Sequence, residues 1–279
     1  MNITKLILTT VSAAVLLTAT SCVKDSLNHT PHPDKGAVLL MFEKSATETH
    51  TVLIDDQKSD FSATPFCFPA LLEPGSHMMI IWNHAEGFDF DGLTARVKKD
   101  DTQNSFIIPM PGHLFSTNGS IEIMADDTLR INTPLIPRTR DLVLQFTVAE
   151  GRPELIQSVT GTIDGIANAF NIEEGELIGA PSSTVVNFTR DGDQLNATAR
   201  ILGTRGSAQT LTFDIVFVDN NRTQHTEIDL TEVLAGFNSP TTEPFPVKGK
   251  LNTPIGMETG SAEIIDWEEG EGGDLEAGV

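Results

Sequence analysis

Hydrophobic and polar positions alternate with a period of two along much of this chain, the spacing that places every second side chain of a strand on one buried face. The pattern is cleanest after residue 140, where Leu142, Leu144, Phe146 and Val148 alternate with Val143, Gln145 and Thr147. It returns at Leu195, Ala197, Ala199 and Ile201, and again at Leu211, Phe213, Ile215 and Phe217. Earlier in the chain the β-favouring runs are shorter: Ala37 to Phe42, His50 to Ile54, His77 to Trp82, Thr94 to Val97, Ser105 to Ile108, Ser120 to Met124 and Leu129 to Asn132. Turn residues at Pro74 and Gly75, at Gly92, at Pro111 and Gly112 and at Asp126 and Asp127 separate several of them, and this rhythm predicts a β-sandwich. The segment from Thr133 to Arg140, with Pro134 and Pro137, interrupts the pattern and reads as an exposed connector.

The expectation is therefore an all-β chain of two tandem sandwiches, over residues 36–134 and 139–268, with Ala262 to Trp267 as the last strand. One short helix is expected in the second, from Leu230 to Ala235. Asp229 would cap its first turn, Glu232 follows three residues later, and Gly236 would end it. Ile166 to Phe170 offers a further helical turn, opposed by Gly165 and Asn168.

The first 35 residues follow other rules. Lys5 precedes a largely apolar run of 14 residues, Leu6 to Ala19, too short to cross a bilayer as a helix, which takes about 20 residues, but ample for a signal-peptide core. Residues 1–21 are read as a signal peptide. Ser21 before Cys22 resembles a bacterial lipoprotein cleavage site, at which the Cys22 thiol receives diacylglycerol. The competing reading, ordinary cleavage that leaves Cys22 as a bare thiol, is disfavoured in an oxidising compartment. Residues 22–35 are polar, carry two prolines and have no periodicity, as suits a tether between lipid and fold. His29 and His32 belong to that tether and lack a nearby third ligand for a metal. Cys67, between Phe66 and Phe68, is expected to be a small buried hydrophobe. The acidic, Gly-rich stretch 269–279 has no means of building a core.

Composition removes several classes of function. The 18 basic residues stand against 39 acidic ones, a net charge of -21 that repels phosphate backbones and makes nucleic acid an unsuitable partner. With 15 Phe, 2 Trp and no Tyr, the chain is poor in the amphipathic rings on which sugars stack, so a glycan-binding surface would need Trp82 and Trp267 exposed together. No phosphate-binding loop, dinucleotide fingerprint, nucleophile elbow or metalloprotease motif is present. No cofactor is implied. Asp89 and Asp91 read as a turn between strands, since they lack the further ligands of a calcium loop. A hydrolytic set would have to be assembled by the fold, from residues such as His77, His84, His113 and Asp89.

Cys22 after a small residue, Lys24 and Asp25 just beyond it, the run His32, Pro33, Asp34, Lys35, Gly36 leading into the first strand, and Ile264 to Gly270 near the other end together resemble the fimbrium anchoring subunits of Bacteroidales. That resemblance implies two transthyretin-like sandwiches in a non-enzymatic outer-membrane lipoprotein that anchors or caps a fimbria, with fimbrial subunits as partners through strand exchange. Lys24 and Asp25 also resemble the signal that carries such lipoproteins to the cell surface. Stalk subunits of these fimbriae are cut after the first strand by an arginine-specific protease. Here the first arginine is Arg96, beyond the first expected strands, which favours a retained anchor over a released stalk subunit, although scarce arginine in an acidic chain has the same appearance.

Overall fold

The computed structural model describes residues 34–41, 48–101, 103–132, 134–218, 223–253 and 263–268. Its strands, in chain order, begin with β1 (Ala37–Met41), β2 (His50–Ile54), β3 (Gln57–Phe61), β4 (Phe66–Cys67) and β5 (Gly75–Asn83). Then come β6 (Phe88–Asp91), β7 (Thr94–Val97), β8 (Lys99–Asp100), β9 (Gln103–Ile107), β10 (Phe115–Ile123), β11 (Thr128–Asn132) and β12 (Ile136–Pro137). The later strands are β13 (Arg140–Glu150), β14 (Ile156–Ile166), β15 (Ala169–Asn171), β16 (Glu176–Ile178), β17 (Ser182–Asp191) and β18 (Gln194–Ile201). The last are β19 (Thr210–Phe217), β20 (Thr223–Asp229), β21 (Phe245–Asn252) and β22 (Glu263–Glu268). Among the described residues the sole helical element is a 3-10 turn, Pro153–Leu155.

In the first half a five-stranded sheet, β12-β10-β5-β2-β3, faces a three-stranded one, β11-β1-β4. Val38 and Leu40 from β1 pack there with Val52, Ile54, Phe61, Phe68, Met79 and Ile81. The run Met79 to Trp82 is buried on both faces of β5, because Ile80 and Trp82 turn away from this core into a second one. A strand covered on both sides reads as a continuous apolar run, and that is what this part of the sequence shows.

The second half is built around β17, which pairs with β14 over Ser182 to Phe188 and with β18 over Thr189 to Asp191. One long strand thus joins two sheet faces, β20-β19-β14-β17 and β18-β13-β21-β22. Between them Phe146 and Phe213 meet edge-on at 4.9 Å, and Phe188 lies 5.1 Å from Phe213. Such offset aromatic contacts add about 0.5–1.5 kcal/mol each beyond the area they bury. The halves also share backbone pairing: β7 pairs β15, and Ile107 of β9 pairs Thr184 of β17.

Several expectations about local structure need correction. Leu230 to Ala235 forms hydrogen-bonded turns instead of a helix. The Asp229 carboxylate does accept the Thr231 N–H at 2.8 Å, and the Leu234 N–H reaches the Leu230 carbonyl at 2.9 Å. The Ala235 and Phe237 N–H groups then reach back only three residues, to Glu232 and Leu234, so a second helical turn never propagates. Ile166 to Phe170 likewise contains no helix: Ile166 ends β14 and Ala169 begins β15. Cys67 is exposed, because β4 pairs with β1 and strand alternation turns Phe68 inward and Cys67 outward.

Candidate functional site

The point at which the described fold begins is bound on every side. Lys35 Nζ lies 2.8 Å from a Glu73 carboxylate oxygen, and that carboxylate raises the Lys35 ammonium above its ordinary value. Gly36 exchanges two backbone hydrogen bonds of 2.9 Å with Leu72, while the Asp126 N–H donates to the Lys35 carbonyl and the Ala37 N–H to the Asp127 carbonyl. Only glycine fits at 36, since a Cβ there would stand 2.4 Å from the Met124 carbonyl oxygen. From this clamp β1 runs between two neighbours, parallel to β11 over five register pairs and antiparallel to β4 over two. Val38 and Leu40 on β1 are fully buried. A pull along β1 from its start would load the β1–β11 bonds together, in shear, because they are spread along the direction of force.

Cys22, Lys24 and Asp25, the lipidation residue and the export-signal pair, lie outside the described residues, as do the signal segment 1–21, His29, His32 and the stretch 269–279. Arg96 is exposed on β7, paired with Ala169 and Asp89, and lies well after β1.

Of the side chains nominated for catalysis, His77 lies at one end of β5, away from His84 and His113 at the other. His77 stands near the start of β5 and His84 just past its end, a separation of about 23 Å at strand rise. His77 Nδ1 lies 2.6 Å from Asp55 and Nε2 lies 2.7 Å from the Glu73 carbonyl. Both ring nitrogens face acceptors, so the imidazolium is favoured and its pKa is raised, chiefly by Asp55. His84 Nε2 meets Thr51 Oγ1 at 2.7 Å. Asp89 and Asp91 are on β6, a strand and not the expected turn, and Asp89 lies 3.7 Å from Lys98. His113 lies by the far end of β5, its carbonyl accepting from Asn83 at 2.8 Å. Among the described residues no cluster of three or more His, Cys, Asp or Glu is arranged to hold a metal ion. Trp82 is 3% exposed, so it is a core residue and not half of a sugar platform. Trp267 is on β22, where only the backbone is described.

One feature escaped sequence reading. The connector expected from Thr133 to Arg140 is partly structural: Ile136 and Pro137 pair with β10, and Thr139 is 2% exposed. Arg138 lies 4.9 Å over the Phe170 ring, and Arg140 lies 4.9 Å over Phe245, so both guanidiniums are stacked on aromatic faces. The apolar Leu135 and Ile136 beside them were the available signal.

Two hydrophobic cores under paired sheets, a buried first strand and a clamped entry define an all-β protein of the sandwich class. The sequence profile of the fimbrillin-A associated anchor proteins Mfa1 and Mfa2 matches residues 41–270, and the chain belongs to that family. No curated protein matches the sequence. Among solved structures, the fold is similar to that of a candidate adhesin from Bacteroides ovatus, with a TM-score of 0.58 at 15% identity over 84% of this chain and 94% of the other. It is similar also to the fimbrial anchor protein Mfa2 from Porphyromonas gingivalis, with a TM-score of 0.55 at 14% identity over 78% and 90% of the two chains. Membership implies a fimbria-associated adhesion role at the cell envelope.

Proposed function

We propose that this chain is a non-enzymatic lipoprotein that anchors or caps a fimbria at the outer membrane. Residues 1–21 direct export, Cys22 carries the lipid, Lys24 and Asp25 direct the protein to the cell surface, and residues 22–35 tether the fold. The two halves, 36–134 and 139–268, are read as transthyretin-like sandwiches, and fimbrial subunits attach by strand exchange, in which ladder hydrogen bonds and alternate side-chain pockets supply the contact. The observation that carries this reading is the family match across residues 41–270. It is supported by the clamp at Lys35 and Gly36, which suits a joint under tension. One acyl chain binds a membrane only marginally, whereas two or three hold it stably, so the lipid on Cys22 suffices for attachment without help from the fold.

Lipidation is tested by growing cells with an alkyne-bearing fatty acid. The native chain is expected to take up label and Cys22→Ala to take up none. Equal label in both, or none in the native chain, would remove the lipid from the account.

A further inference from the structure

Beside the stacked arginines lies a cleft of about 220 Å³, bordered by Arg138, Arg140, Phe170, Leu177, Phe237 and Asn238. Arg138 Nε donates to Ser116 Oγ at 2.9 Å, and Arg140 Nε donates to the Glu243 carbonyl at 2.7 Å, with a long contact of 3.4 Å from Nη1 to the Phe237 carbonyl. Among the described residues neither guanidinium has a carboxylate at ion-pair distance. Burial holds both below the usual arginine range, and only Glu243 pulls Arg140 the other way. Glu173 and Glu174 on the turn after β15 and Glu176 at the start of β16 are exposed, and Glu174 accepts from Asn171 at 2.8 Å. In a chain of net charge -21, two half-buried arginines without an ion-paired carboxylate, Arg140 feeling only Glu243 at longer range, are an anomaly that an added carboxylate would relieve.

The strand order indicates which carboxylate is nearest to hand. β22 runs antiparallel to β21, with Glu268 opposite Lys248 and the chain heading towards Phe245, the residue under Arg140. β13 lies on the other side of β21, with Leu142 opposite Phe245. Arg140 is therefore about 17 Å further along the sheet from Glu268 and about 10 Å across it. The 11 residues that follow carry Glu269, Glu271, Asp274 and Glu276 and no basic residue, and they reach about 36 Å when extended.

We propose that this cleft is a carboxylate-binding site for an acidic peptide segment, and that its occupant is the chain's own stretch 269–279. Tethering makes the contact intramolecular, so even a weak guanidinium–carboxylate pair is well populated. The cleft binds carboxylate side chains through Arg138 and Arg140, with the half-buried Leu177 beside them against the apolar part of the segment.

The test uses the purified full chain and phenylglyoxal, which labels accessible guanidiniums, with site-by-site readout by mass spectrometry. Arg138 and Arg140 are compared in the native chain and in a full-length variant carrying Glu269→Gln, Glu271→Gln, Asp274→Asn and Glu276→Gln together. Labelling at both arginines is expected to be about threefold faster in the variant, with Arg96 unchanged as the internal control. A synthetic peptide of residues 268–279 added to the variant is expected to restore protection. Equal labelling in the two proteins, or a matching change at Arg96, would overturn the proposal. Protection that disappears on dilution would overturn the assignment to the chain's own segment and give the cleft to a second copy. The readout is independent of fimbriae, so it fails or succeeds separately from the anchoring role.

Discussion

Gly36 is the residue on which the entry to the fold depends most sharply. A Cβ at this position meets backbone on one side, the Met124 carbonyl at 2.4 Å, and the Ile123 side chain at 2.5 Å on the other. Backbone cannot rotate out of the way, so Gly36→Ala should destabilise the chain by about 1–3 kcal/mol in urea titrations, as other overpacked sites do. His77 sets a different condition. Its pKa is raised from 6.5 by Asp55, so its share of stability is full below pH 6.5 and fades as pH climbs through the raised value. The Asp55 carboxylate is held below its ordinary 3.8, so its share is full above that and is lost as pH falls through the lowered value. The pair therefore stabilises between these limits. Because Asp55 is 48% exposed, solvent screening keeps the effect to about 0.5 kcal/mol. His77→Gln should lower the melting temperature at pH 5.5 and leave it nearly unchanged at pH 9.

At the scale of elements, the aromatic contacts that close the second half offer the strongest lever. Phe213 is fully buried on β19 and touches both Phe146 and Phe188, so Phe213→Ala should cost about 3–5 kcal/mol and be visible as a lower urea midpoint. Of the long strands, β13, β18 and β19 were legible because each buries one face. Leu142, Leu144, Phe146 and Val148, for instance, are all at or below 6% exposure, as their alternation implied. β3, β4, β8, β12, β14 to β17, β20 and β21 were missed. β3 reads Gln57, Lys58, Ser59, Asp60, Phe61, has a single apolar residue and pairs only with β2, so its strand state comes from its neighbour's ladder and not from its own pattern. β6 was hidden by its carboxylates: Phe88 and Phe90 alternate with Asp89 and Asp91, and the acidic positions face outward on a strand where a turn was expected. The site was legible in part. The abrupt change to β pattern after Lys35 marked the entry, whereas the stacking of Arg138 and Arg140 depends on Phe170 and Phe245, distant in sequence and brought near only by the sheets.

Over the whole molecule, force and contact follow one path. In the proposed account, tension at the entry would pass into β1, across to β11 and β4, and into the first core, with the pairs β7–β15 and β9–β17 and the apolar cluster from Ile80 to Leu251 linking it to the second half. The Arg200 guanidinium reinforces this junction, bonded to Asp141 at 2.6 Å and to the Pro111 carbonyl at 3.3 Å. An anchor needs such continuity, because a chain that holds a filament is only as strong as its weakest joint. Its covalent end, in the proposed account, is Cys22. The direct measurement is the distribution of fimbriae between cells and medium in cells whose only copy carries Cys22→Ala. If this chain is the anchor, fimbrial subunits move from the cell fraction into the medium, together with the unlipidated chain. Fimbriae that stay on the cells in native amount while the variant chain is made and exported would contradict it.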